Sequence, residues 1–187
     1  MTTTSATVTL PKVGTYDLDQ AHTSVNFVAR HLVGTKVRGH FAKFDGTIVI
    51  ADPIEDSSVE AEVDASSIVT GVEMRDEHLR SNDFLDVPNF PTLTVKSTGL
   101  TRVSDSEWQL AADLTIRGVK RPVVFDLEFF GFGPGLQEGV ELFAYSASTE
   151  IDRRDFGVTF SYALDTGALV VGNKVKIEIE GEAILRK

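Results

Sequence analysis

Apolar side chains recur at every second position in one segment of this chain after another, and a period of two places them on a single face of a β-strand. Val25, Phe27 and Ala29 begin the series, followed by Ile48 and Ile50, then Val59, Ala61 and Val63 with Glu60 and Glu62 between them. A long run carries Trp108, Leu110, Ala112, Leu114 and Ile116 on one face against Gln109, Asp113 and Thr115 on the other. Val123, Phe125, Leu127 and Phe129 repeat the pattern, and Val175, Ile177 and Ile179 close it; residues 93–96 predict a further short strand. Around 140–145 both alternating sets are partly apolar. Strands this numerous, without regular intervening helices, predict an all-β antiparallel fold, either a barrel or a two-sheet sandwich. Turn chemistry predicts a break at Gly118-Val119-Lys120-Arg121-Pro122, a flexible apolar connector over 130–135, and turns at Asp165-Thr166-Gly167 and Val171-Gly172-Asn173.

One stretch departs from the alternation. Thr70-Gly71-Val72-Glu73 has the spacing of a capping box, with Val69 placed to staple over Met74, and predicts a helix over 71–80. Asp76 and Arg80 stand four apart for a surface pair, and Val72 and Leu79 are expected to face the body of the protein. A further helical turn is expected near 82–85, before Pro88 and Pro91 impose extended backbone.

The 187 residues fit one domain, over about 14–187, behind a flexible segment over 1–13. With 42% hydrophobic and 25% charged residues the chain is expected to fold in water, and a net charge of −10 argues against nucleic acid as a partner unless a local basic patch exists. The absence of cysteine removes disulfides, thiol catalysis and thiolate metal sites. The N-terminal residues carry no signal-peptide pattern, which sets the expectation of a cytoplasmic protein.

Candidate chemistry is sparse. His22, His31, His40 and His78 form no HExxH or finger pattern, so no metal site is expected. Asp19, His22 and Thr23 bring acid, imidazole and hydroxyl together without a G-x-S-x-G elbow, so Asp19 is read as orienting His22 in a strand-entry motif and no catalytic residue is assigned. In residues 152–157 an arginine, Arg153 or Arg154, is expected to bridge backbone while Phe156 inserts and Gly157 turns. The 12 phenylalanines suit either a filled core or an apolar cavity.

Several segments in order resemble the YceI-like family of polyisoprenoid-binding or lipid-binding domains. Asp19-Gln20-Ala21-His22-Thr23 resembles its D-x-x-H-S opening, and Gly39-His40-Phe41 with Phe44-Asp45-Gly46 its early glycine turns. Ser67-Ile68-Val69-Thr70-Gly71, Arg75-Asp76-Glu77-His78-Leu79-Arg80-Ser81 and Asp83-Phe84-Leu85-Asp86 are similar to its helical insertion, here about 67–86. Pro91, Leu114-Thr115-Ile116-Arg117-Gly118-Val119 and Arg153-Arg154-Asp155-Phe156-Gly157 continue the likeness. Thr23, Tyr16 and Lys120 depart from the commoner serine, tryptophan and threonine.

The resemblance implies an extended lipocalin-like antiparallel β-barrel with a short helical insertion, which binds, stores or transports an amphiphilic isoprenoid, quinone or fatty ligand. No cofactor is required beyond such a ligand, and transient membrane contact for exchange is expected. Phe27, Trp108, Leu110, Phe125, Phe129 and Phe143 are the candidate tail contacts; Asp19, His22, Arg75 and Arg153 are candidates for a polar mouth or for structural bonds. Two other readings stay open: an interaction protein whose phenylalanines fill its core, and an enzyme acting on a sequestered hydrophobic ligand.

Overall fold

The computed structural model describes residues 8–32, 34–162 and 170–187. In chain order they form β1 (Gly14–Leu18), β2 (Ser24–His31), β3 (Thr35–Phe41), β4 (Phe44–Ile50), β5 (Ser58–Asp64), β6 (Ile68–Val69), α1 (Glu73–Arg80), β7 (Thr92–Arg102), β8 (Glu107–Ile116), β9 (Val119–Pro134), β10 (Glu141–Asp152) and β11 (Val171–Leu185). Eight of these strands pair antiparallel in the ring β1-β4-β5-β7-β8-β9-β10-β11, which closes because the end of β11 also pairs with β1 through Tyr16 and Leu185 and through Leu18 and Ala183. Closure removes the edges that an open sheet would expose.

The remaining strands grow from the same ladder. β11 pairs with β1 over its last residues and with β2 over Val175 to Glu180, so β1 and β2 lie end to end along one partner. β3 continues outward from β2, and the short β6 from β3. The bend between β1 and β2 is pinned to Glu182: the Asp19 backbone N–H donates to its carbonyl at 2.9 Å, and Thr23 Oγ1 both donates to that carbonyl (3.2 Å) and accepts from the Glu182 N–H (3.3 Å). The Thr23 hydroxyl therefore serves both backbone groups of Glu182. Gly181 is required beneath it, because an added Cβ would lie 2.7 Å from Thr23 Cγ2 and 2.8 Å from its Cβ.

Alternation holds on most strands. Along β8 and β9, Trp108, Ala112, Leu114, Ile116, Phe125, Leu127 and Phe129 are all buried. The turn expectations need revision. The break near 118–122 shrinks to the two-residue hairpin turn Arg117-Gly118, both at positive φ (50° and 71°), and Val119 through Pro122 belong to β9. The connector expected over 130–135 is instead strand as far as Pro134. A bulge explains the misleading pattern: Tyr145 faces Phe129 and Ala144 faces Gly131, leaving Phe130 as the unpaired extra residue. That residue turns outward, 53% exposed, and the shifted parity returns Phe132 to the core opposite Phe143. Val171-Gly172-Asn173 likewise opens β11 rather than forming a turn, with an irregular register before Val175. Asp165-Thr166-Gly167 lies outside the described residues.

The helical insertion is held by polar bonds rather than by the expected apolar staple. The helix starts at Glu73 behind Val72, which makes no side-chain cap bond, and Met74 and Val72 are exposed. Thr70 is not its cap. Asp76 is buried and accepts from the Thr70 backbone N–H (2.9 Å) and from the Thr70 hydroxyl, so it forms no pair with Arg80. Arg80 instead donates to the carbonyls of Ser66 (2.8 Å) and Ile68 (2.9 Å). Glu73 and Asp76 near the start and His78 and Arg80 near the end complement the helix dipole. Residues 82–85 form turns.

Two hydrophobic clusters occupy the barrel. One contains Tyr16, Trp108, Phe129, Phe143 and Tyr145, and Val8 and Leu10 of the N-terminal segment pack against it. The other gathers Ala65, Leu93, Leu114, Ile116, Ile151 and Phe156 at the end nearer the insertion. Replacing Gly181 with alanine should destabilise the protein by about 1–3 kcal/mol through displacement of Thr23, read as a lower urea midpoint with an unchanged slope. An unaltered midpoint would show that the bend tolerates the shift.

Candidate ligand cavity

Alternating apolar residues that close into a ring must point either out to water or into a shared interior, and here the inward set does not fill that interior. A cavity of about 280 Å³ remains inside the barrel, near the lower end of the roughly 300–1,000 Å³ range of small-molecule sites. Its wall is almost wholly apolar. Phe27, Leu110, Phe125, Phe129 and Phe143 line it, with Leu79 and Phe84 contributed by the insertion.

Trp108 sits elsewhere. It is 1% exposed within the first cluster, edge-on to Phe129 at 6.1 Å with the Arg102 guanidinium 5.5 Å from its ring, and it does not line the cavity. Tyr16 and Phe143 meet edge to face at 4.9 Å, and Phe129 lies 5.6 Å from Phe143, so these rings form an aromatic floor. At the other end His78, Phe84 and Phe160 stack in a triangle with centroids 5.0 to 5.1 Å apart, joining the insertion to the segment after β10.

The four polar candidates occupy three separate places. At the β1–β2 bend His22 faces solvent and Asp19 is half-buried, with Asp19 Oδ2 2.7 Å from His22 Nδ1. The hydrogen bond from His22 holds the Asp19 carboxyl below its ordinary value, and the same bond raises the imidazole above its own. Glu182 Oε2 stands 3.9 Å from that ring nitrogen, and the three ligand atoms lie within 4.8 Å of one another. Since Asp19 already engages Nδ1, a cation bound there would have to displace this pair. Arg75 grips Thr70, donating to its hydroxyl (2.7 Å) and carbonyl (2.9 Å). His31 and His40 lie on β2 and β3.

Arg153 is the only one of the four on the cavity wall. It is 5% exposed and donates to the carbonyls of Val158 (2.7 Å), Gly172 (3.0 Å) and Val171 (3.3 Å) and to Asn173 Oδ1 (3.2 Å). Burial lowers its pKa, and the surrounding carbonyls, not a carboxylate, satisfy the fork. Phe156 inserts beside it, and Gly157 adopts φ 74°.

Two features escaped the sequence reading. Tyr145 lines the cavity at 7% exposure, and burial alone pushes its hydroxyl far above the ordinary 10.0. Its parity could have flagged it. On the outer wall, Arg30, Lys36, Arg38, Arg154, Lys174 and Lys176 share a groove with Glu150, Asp152 and Glu178. That groove gathers six of the chain's 18 basic residues and only three of its 28 acidic ones. Only strand pairing brings these separate segments together.

A closed antiparallel barrel around an apolar cavity, capped by a helical insertion, defines a lipocalin-like fold. The YceI-like domain model matches residues 16–183, and the chain belongs to that family. The curated relative UPF0312 protein SA2479 of Staphylococcus aureus is 34% identical over 170 residues, covering 89% of this chain and 95% of the relative. Among solved structures, BcnA of Burkholderia cenocepacia superposes with TM-score 0.73 at 19% identity over 90% of this chain and 99% of its own. A polyisoprenoid binding domain from Saccharophagus degradans superposes with TM-score 0.67 at 15% identity over 94% and 100% respectively.

Because Asp19 raises His22 above the usual 6.5, the pair's contribution to stability is complete below the unfolded value and fades as pH rises through the higher folded one. Proton NMR of the imidazole should titrate above 6.5 in the natural chain and move down in Asp19→Asn. Identical midpoints in the two proteins would contradict the pairing.

Proposed function

We propose that this protein binds a lipid-like molecule, an isoprenoid, quinone or fatty chain, inside the barrel and carries or stores it. The supporting observation is the unfilled apolar cavity, which a protein with a fully packed core would lack. A polyisoprenoid binding domain shares the fold, which is consistent with this reading. A tail taken from water gains roughly 0.8 kcal/mol for each buried CH₂. Taken from a membrane, the same tail exchanges one apolar medium for another, so loading and release lie near balance.

Exchange of this kind needs a meeting with the bilayer. The basic groove on β2, β3 and β11 supplies charge complementary to an anionic membrane surface, on a chain whose overall charge would oppose contact. It lies at the end where Val171 and Arg153 line the cavity, and Leu32 and Tyr162, 40% and 62% exposed, stand nearby through the Val170 backbone, which bonds both.

Protein purified without detergent and analysed by native mass spectrometry should carry an apolar small molecule. Ala147→Phe, which places a ring on the cavity wall, should reduce its occupancy several-fold while the protein stays folded. A natural chain free of lipid, together with no uptake of added lipid, would sink the carrier reading. Reversing three charges, as Arg30→Glu, Arg38→Glu and Lys174→Glu, should abolish sedimentation with phosphatidylglycerol vesicles at low salt. Binding that survives this change, or that is equal on phosphatidylcholine, argues against the groove as the contact.

A further inference from the structure

The buried and half-buried polar side chains of the cavity wall are committed to the protein with one exception. Thr23 bonds Glu182, the Ser57 hydroxyl accepts from the Ala51 N–H (3.0 Å), Asn26 donates to Ser24 (2.9 Å), and Arg153 is shared among carbonyls and Asn173. Ser58 is exposed. Tyr145 differs. Its residue is buried at 7% exposure and lines the cavity, yet among the described residues its hydroxyl has no hydrogen-bond partner. Nor is that oxygen sealed in the way Trp108 Nε1 is, the one fully enclosed side-chain polar atom left without a partner among those described. The oxygen therefore keeps a small accessible remainder, on a residue that lines the cavity.

A buried phenol without a partner is costly, because its O–H has given up water for nothing. A ligand atom with a lone pair removes that cost. The site also restricts what the ligand can be. Arg153, the wall's buried cation, is already surrounded by acceptors, so a phosphate or carboxylate pushed to this depth would remain an unpaired buried charge. Tyr145 stands one pleat from Phe143 on β10, next to the aromatic floor, with ring centroids 5.8 Å apart.

We infer that the Tyr145 hydroxyl is the anchor for a neutral hydrogen-bond acceptor, a ketone, quinone, ester or ether oxygen, on a lipid that enters the barrel with that group toward the aromatic floor. This inference rests on the lipid-binding reading and adds the ligand's chemical class and orientation to it. A pure hydrocarbon leaves the phenol unpaired. An anionic lipid keeps its charged head outside.

The test compares delipidated natural protein with Tyr145→Phe, which removes one oxygen, against methyl palmitate, hexadecane and palmitate delivered from cyclodextrin. The natural chain should bind the ester more tightly than palmitate, and the substitution should weaken ester binding about 3- to 10-fold while leaving hexadecane unchanged or improved. The infrared carbonyl band of bound ester should lie at lower frequency in the natural protein than in the variant. Equal ester affinity and identical bands in the two proteins would overturn the anchor while leaving barrel binding intact. Tighter binding of palmitate than of its ester would overturn the neutral ligand class. Failure of the natural chain to bind any of the three probes would remove the lipid-binding reading, and the anchor with it. Thermal unfolding of unloaded Tyr145→Phe should match the natural protein or exceed it; a clear loss would mean that the hydroxyl is bonded within the protein, and would also overturn the proposal.

Discussion

The divided pairing of β11 is the constraint on which the remainder of the structure depends. One strand holds β10 along one side and, along the other, β2 and then β1, so that a single ladder both closes the ring and launches the outer strands. The division falls at Gly181 and Glu182, where the Asp19-to-Thr23 bend is fastened to backbone. Without the β1 pairing, the ring would be an open sheet with two edges and no enclosed volume. The interior apolar space is thus a consequence of topology, and the alternating sequence supplies its lining.

Polar bonds and apolar burial divide the work. Inside, rings and aliphatic chains surround a volume with almost no uncommitted polarity. At the end nearer the insertion, buried and half-buried charged groups hold connections in place: Asp76 and Arg75 tie the helix to Thr70, Arg80 ties it to the carbonyls of the preceding segment, and Arg153 gathers the backbone of residues 158 and 171–172. Each of these groups satisfies backbone atoms that would otherwise be orphaned near the cavity. This explains why a charge-dense helix can cap an apolar barrel. Its grip is directional, and only Leu79 of α1 reaches the cavity wall.

The alternation of residues 108–116 and 123–129 was sufficient to orient β8 and β9 and to name Leu110, Phe125 and Phe129 as inward residues, because side-chain parity is a local property of extended backbone. The same logic failed at Phe130, since a bulge resets parity and is chosen by the register with Tyr145 on the neighbouring strand. Thr70 failed as a cap for a related reason: its hydroxyl was taken by Asp76, a competitor that spacing alone does not rank. Trp108 shared the inward face of Leu110 but packed into the floor, because position along the barrel axis is set by strand stagger, which no single strand encodes.

By itself the sequence determined an all-β chain with an apolar face on each strand, one helical interruption, and a family likeness that carried the expectation of a lipid ligand. Tertiary structure decided whether those faces would fill their shared interior or leave it hollow, and it decided which polar groups would be spent on backbone and which left over. Volume and hydrogen-bond partnership are sums over residues far apart in the chain. Tyr145, the basic groove and Glu182 beside His22 therefore acquired their meaning only when β2, β3, β10 and β11 were brought side by side.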